Sequence, residues 1–205
     1  MGFIKKFTAA ILLTTAIFAF GGCVKYTSTR QVTASGEELT GLHHVEIEIE
    51  GYGTIAAELD ADAAPKSVTR FVSAAEDGFY NGKKFHRIIE GFMMQGGAMK
   101  TKDEASKYPA IYGEFSSNGF NNPIEHVRGT LSMARTDKPN SATTQFFIVH
   151  QDYPSLDGNY AAFGHVTSGI EIVDKICDAN NIPEGANGAI AEDDQPVIKE
   201  VRVID

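Results

Sequence analysis

Residues 85–97 read Phe-His-Arg-Ile-Ile-Glu-Gly-Phe-Met-Met-Gln-Gly-Gly, two short apolar segments, Lys84 to Ile89 and Phe92 to Gln95, set between glycine signals. Runs this short, bounded by turn residues, read as strands rather than helices. Arg87 stands two residues from both Phe85 and Ile89, so in a regular strand the three share a face. An arginine held beside apolar groups is more often functional than decorative.

Working outward, the same kind of segment recurs at Gly129 to Ala134, Gln145 to His150, Ala161 to Val166 and Val197 to Ile204. Nearer the start, Val45, Ile47 and Ile49 alternate with polar residues, Gly51-Tyr52-Gly53 marks a turn, and Ile55, Ala57 and Leu59 alternate again, which predicts a β-hairpin. One helix is predicted behind Asp62 or Ala64, with Pro65 at its first position, Val68, Phe71, Val72 and Ala75 on one stripe, and Gly78 just past its end. A second is predicted near Gly169 to Cys177. Many strands with two helices predict a mainly β fold, an antiparallel barrel closed on itself and capped by the helices, because closure removes exposed strand edges. In Gln145-Phe146-Phe147, alternation sends one phenylalanine inward and the next outward, where it would line a groove.

Hydrophobic residues make up 42% and charged residues 22% of the 205, as in ordinary soluble proteins, and the length suits one domain with appendages. The formal net charge is −9, and losing Lys5 and Lys6 would leave 16 basic against 27 acidic residues, or −11. Nucleic acid is therefore a poorly matched partner, since its affinity rests on Lys and Arg neutralising phosphates. Anionic lipid is equally poorly matched, so any membrane attachment must be apolar.

Such an attachment is written at the start of the chain. Lys5 and Lys6 precede an apolar run from Phe7 to Phe20, and Gly21-Gly22-Cys23 follows. The run is shorter than the roughly 18–20 residues of a spanning helix and reads as an export signal. Its end resembles a bacterial lipobox, although Phe20 stands where Leu is usual. Ala19-Phe20-Gly21 competes as an ordinary signal-peptidase site, and an uncleaved anchor helix is a third reading. The expected organisation is a signal peptide over 1–22, a polar tether over 23–40 carrying lipid on Cys23, and a folded domain over 41–205. The expected location is the outer face of a bacterial cytoplasmic membrane or another extracytoplasmic membrane surface. Cys177, in a helical pattern, is expected to be a buried small hydrophobe.

Hydrolytic and metal chemistry find no support. The six histidines, at 43, 44, 86, 126, 150 and 165, show neither Cys partners nor a His-Glu-x-x-His spacing, and Gly-x-Ser-x-Gly is absent. Four stretches are informative instead: Phe85 to Gly97, Gly129 to Thr136 (GTLSMART), Thr143 to His150 (TTQFFIVH) and Leu156 to Val166 (LDGNYAAFGHV). Together, in wording and in order, they resemble the cyclophilin-type peptidyl-prolyl isomerases over about residues 44 to 204.

That resemblance implies an eight-stranded barrel and an enzyme that interconverts cis and trans X-Pro bonds of exported proteins without a cofactor or metal. It implies a catalytic group of Arg87, Phe92 and Gln95, and substrate contacts from Met93, Ala134, Arg135, Gln145, Phe147, Leu156 and Tyr160. The implied partners are proline-containing polypeptides, and a monomer is expected. The alternative is a module that holds proline-containing segments without turnover, as a chaperone or surface adaptor. Two positions depart from the pattern. Ser155 stands where the family often has the Trp that contacts the cyclic peptide cyclosporin, and the stretch between Gly97 and Gly113 lacks the glycines usual there.

Overall fold

A computed structural model describes residues 37–179 and 187–205. The expected signal segment, Cys23 and the tether up to residue 36 lie outside the described residues. Among these, no helix is long and apolar enough to cross a membrane.

Among the described residues, eight strands form one sheet: β1 (Leu42–Ile49), β2 (Gly53–Asp60), β3 (Phe85–Ile89), β4 (Met93–Gly96), β5 (Thr130–Met133), β6 (Phe146–Val149), β7 (Ala162–Ser168) and β8 (Ile198–Val203). Their order is β3-β4-β6-β5-β7-β2-β1-β8, with every neighbouring pair antiparallel. All the strand segments read from the sequence are present. The expected closure is corrected, because the sheet is an open, curled half-barrel whose outer strands β3 and β8 share no ladder. Where those strands begin, one bridge, Lys84 to Val197, joins them, flanked by three backbone hydrogen bonds: Phe85 N–H donates to the Pro196 carbonyl at 2.9 Å, Ile198 N–H to the Lys83 carbonyl at 2.8 Å and Gly82 N–H to the Ile198 carbonyl at 2.8 Å. Among the described residues, three α-helices accompany the sheet rather than two: α1 (Pro65–Glu76), α2 (Lys102–Lys107) and α3 (Ile170–Ala179).

The β1–β2 hairpin follows its pattern, with Val45, Ile47, Ile49, Ile55, Ala57 and Leu59 buried and polar partners facing out. Helix α1 buries Val68, Phe71, Val72 and Ala75. Ala64 caps it without a side-chain hydrogen bond; the fully buried Glu114 carboxylate instead accepts from the Lys66 and Ser67 amides, both at 2.8 Å, and from the Ser67 hydroxyl. A carboxylate at a helix start is favoured by the unpaired amides and the dipole there, which offsets the cost of its burial. Phe71 then meets Tyr80, Phe146 and Phe163 at 5.0, 5.1 and 5.3 Å, forming the aromatic nucleus inside the curled sheet. Helix α2 escaped the sequence reading because it is only six residues long. A Thr101–Glu104 capping box and a 2.6 Å Lys83–Glu104 ion pair hold it. Cys177 is fully buried, with its thiol pushed up to about 12 by that burial.

β4 and β6 divide their side chains between the two faces of the sheet. Met94, Phe146 and Ile148 enter the main core, whereas Met93, Phe147 and Val149 join Leu156 in a second apolar cluster on the outer face. The two adjacent phenylalanines thus part as alternation requires, and Phe147 is the outward one.

Candidate active site

The outer cluster surrounds a cavity of about 110 Å³ lined by Arg87, Phe92, Met93, Gln95, Ala134, Arg135, Phe147, Leu156 and Tyr160. Every one of these was singled out in the sequence. Gln145, the remaining member, stands one step behind the lining, its side-chain oxygen accepting from Gln95 Nε2 at 3.0 Å. Ligand pockets commonly measure about 300–1,000 Å³, so this one suits a single ring rather than a cofactor. A larger cleft of about 520 Å³ lies beside α1 and contains none of these residues; its Lys66 and Lys107 are already paired with Glu38 and Asp77.

Arg87 reaches the cavity by a register shift. Regular alternation would put it on the face of Phe85, yet Phe85 is fully buried in the main core. A bulge between Phe85 and Arg87 resets β3, so that Ile88 also points into the core while Arg87 and Ile89 face the outer cluster. Bulges of this kind re-aim a side chain without breaking the sheet. The expected companionship with Ile89 therefore holds and that with Phe85 does not.

The guanidinium is half-buried and well held. Nε donates to the Asn187 carbonyl at 2.9 Å, Nη2 approaches Asn187 Oδ1 at 3.4 Å, and Nη1 approaches Gln95 Oε1 at 3.4 Å and Met93 Sδ at 3.9 Å. Its carbon lies 5.7 Å from the Phe92 ring centroid. Burial lowers its pKa, and the nearby Tyr160 opposes that shift. An arginine stays charged under any physiological condition, so the effect of burial is to strengthen its field in the cavity.

The remaining walls are fixed by contacts that local sequence does not reveal. Phe147 meets Tyr160 edge to face at 5.9 Å and lies nearly parallel to His126 at 6.1 Å. Arg135 sits 4.6 Å from the Tyr160 ring centroid and 5.1 Å from that of Phe115, while its Nε donates to the Asn159 carbonyl at 3.0 Å. The Ala134 amide donates to the Gln145 carbonyl at 2.9 Å, joining the two segments that border the cavity. Tyr153 packs on Phe92 at 4.3 Å, and Ser155 is exposed outside the lining. His126 and Asn187 went unnoticed in the sequence. In the sequence His126 is one of six scattered histidines, and Asn187-Gly188 carries nothing beyond a turn signal. Among the described residues, no group of three His, Cys, Asp or Glu is placed to hold a metal ion.

The curled antiparallel sheet thus presents a ring-sized cavity that sets the Phe92, Met93, Phe147 and Leu156 side chains beside a firmly held arginine. Residues 44–204 match the family described as cyclophilin type peptidyl-prolyl cis-trans isomerase. A probable peptidyl-prolyl cis-trans isomerase of Brucella suis is 41% identical over 155 residues, spanning 70% of this chain and 74% of its own length. Peptidyl-prolyl cis-trans isomerase B of Escherichia coli is 41% identical over 135 residues, 61% of this chain and 79% of its own. A solved cyclophilin of Cryptosporidium parvum, crystallised in the presence of the dipeptide Ala-Pro, superposes with a TM-score of 0.64 at 26% identity, covering 79% of this chain and 99% of that one. The chain belongs to the cyclophilin-type peptidyl-prolyl cis-trans isomerases, and it is an enzyme of that activity.

Proposed function

We propose that this isomerase acts on X-Pro bonds of exported polypeptides as they fold outside the cytoplasmic membrane, where lipid on Cys23 holds it, and that Arg87 is its transition-state donor. The observation that carries the chemical part is the presence of Arg87 in the same small cavity as Phe92, Met93, Phe147 and Leu156.

Rotation about a peptide bond is opposed by amide resonance with a barrier of about 18–20 kcal/mol, so uncatalysed X-Pro exchange takes tens to hundreds of seconds. At the twisted transition state the proline nitrogen leaves conjugation and regains a lone pair. A donor fixed near that nitrogen binds the twisted state better than either planar isomer. Arg87 has five N–H groups; its oxygen contacts on Asn187 and Gln95 engage three, which leaves donors for a substrate. The apolar walls seat the ring and strip water from the amide, favouring the less polar twisted form. Lowering a barrier of about 20 to about 13–14 kcal/mol corresponds to roughly 10³ turnovers per second. One charge-assisted hydrogen bond contributes about 1.5–3 kcal/mol, so desolvation and positioning supply the larger part.

Support for the location is the basic start, apolar run and Gly21-Gly22-Cys23 of the sequence, together with an acidic chain that anionic lipid would repel. Acyl chains bind membranes at about 0.8 kcal/mol per buried methylene, and more than one is needed for stable anchoring. The test is to follow isomerase activity toward a short X-Pro peptide through cell fractionation, for the native protein and for Cys23→Ala. Activity should move from the membrane pellet to the soluble exported fraction in the variant. Activity that stays in the pellet would mean that residues 1–22 persist as an anchor, and activity in the cytoplasm would refute export.

A further inference from the structure

We propose that Asn187 is a positioning residue for the reaction: it aims the Arg87 guanidinium into the proline cavity by holding its far side with two oxygens. This rests on the reading of Arg87 as the donor. Asn187 does not line the cavity and is itself exposed. Its backbone carbonyl accepts from Arg87 Nε at 2.9 Å, and its side-chain oxygen lies 3.4 Å from Nη2. Both contacts fall on the edge of the guanidinium turned away from Gln95 and Met93, which are met by Nη1. With that edge tied, the fork cannot swing about its long side chain, and its free donors stay directed at the cavity.

The backbone around Asn187 is built for this contact. Asn187 has φ +48, and it is the only non-glycine residue with positive φ among those described. Asparagine tolerates that conformation better than other side chains, at a cost that persists only where the surroundings hold it. Gly188 follows with φ +80, and a Cβ there would lie 2.4 Å from Ile89 Cγ1 and 3.0 Å from the Ile88 carbonyl oxygen, so no larger residue fits. The close approach lets the segment pair with β3 on the side opposite β4. Ile88 N–H donates to the Gly188 carbonyl at 2.8 Å, Ile190 N–H to the His86 carbonyl at 3.1 Å, and Arg87 bridges to Ala189. Arg87 is thereby gripped between two strands of backbone, with the conformational strain gathered at the residue that touches it.

The experiment compares kcat, KM and melting temperature on a short X-Pro peptide for the full chain and for Asn187→Gly, Asn187→Asp, Arg87→Ala and the double variant Arg87→Ala with Asn187→Gly. Glycine adopts positive φ freely, so Asn187→Gly keeps the backbone and its carbonyl while removing Oδ1 and loosening the turn. The expected result is a kcat about 3- to 10-fold lower with KM within about twofold, since the pocket walls are untouched. Asn187→Asp retains an oxygen at the same reach and should stay within about twofold of the native kcat. In the Arg87→Ala background, Asn187→Gly should have no further effect, because the group it positions is gone. Equal losses in the native and Arg87→Ala backgrounds, or an Asp variant as impaired as the Gly variant, would overturn the proposal. Should Arg87→Ala itself be fully active, the donor reading of Arg87 fails instead, and the two failures are told apart.

Discussion

The imidazole of His126 lies 6.1 Å from the ring of Phe147, with the two planes inclined by only 19°. His126 is almost fully buried; its Nδ1 is 2.8 Å from Asp157 Oδ1 and its Nε2 is 2.9 Å from Ser132 Oγ. A carboxylate accepts, so Nδ1 carries a proton, and because burial disfavours the charged ring Nε2 is left to accept from the serine hydroxyl. Phe147, a wall of the cavity, thus rests on a hydrogen-bonded neutral ring.

Stability should fall as the medium is acidified through the histidine range. Burial holds His126 below its ordinary value, with the Asp157 hydrogen bond opposing, and burial lowers His86 as well. Below about pH 6.5 the unfolded chain takes up protons that the folded chain resists, so the contribution is complete above the unfolded value and is lost as pH falls toward the folded one. His44 has the opposite sign, its pKa raised mainly by Asp205, but it is exposed to solvent and its effect should be small. The melting temperature measured from pH 7.5 to 5 should therefore drop, and His126→Gln should drop less steeply. An identical slope in the variant would remove His126 as the cause.

Replacing Arg87 with alanine should lower kcat/KM at least about tenfold while shifting the melting temperature by no more than about 4 °C. Arg87→Lys should recover only part of the loss, because a lysine keeps the charge but not the planar fork that Asn187 and Gln95 hold. Loss of stability in proportion to activity would mark the arginine as structural.

Filling the cavity tests the seat of the proline ring independently of the arginine. Ala134 lines the cavity and is half-buried, so Ala134→Leu directs new methyl groups into a space of about 110 Å³. The expected outcome is a loss of at least about 100-fold in kcat/KM with the fold retained, as misplacement of a substrate by even an ångström is costly. Undiminished turnover would place the substrate elsewhere.

Cyclosporin should inhibit weakly. The position where the family resemblance places a contacting indole is Ser155, which is exposed and outside the lining. A lost neutral hydrogen bond at about 0.5–1.5 kcal/mol, with about 1–2 kcal/mol of lost apolar contact, weakens affinity by about 10- to 300-fold. Ser155→Trp should restore part of it while leaving peptide turnover intact. Tight inhibition of the native protein, or no gain in the variant, would refute this account of the loop.

Local pattern in the sequence determined the strand segments, the hairpin of Val45 to Leu59, the Pro65 helix and the outward turn of Phe147, because a period of two or of 3.6 residues records which face each side chain presents. Family wording determined the candidate site residues, which the fold brings around one cavity with Gln145 just behind it. Tertiary structure alone decided three things. The bulge that parts Arg87 from Phe85 depends on how β3 pairs with β4, and the openness of the sheet depends on how β3 and β8 end. The supports of the site are the third: Asn187 meets Arg87 across 100 residues of chain, and His126 reaches Asp157 across 31. Periodicity carries no information about partners so distant, since such contacts are fixed only when the whole sheet curls and its loops find the polar groups left unpaired.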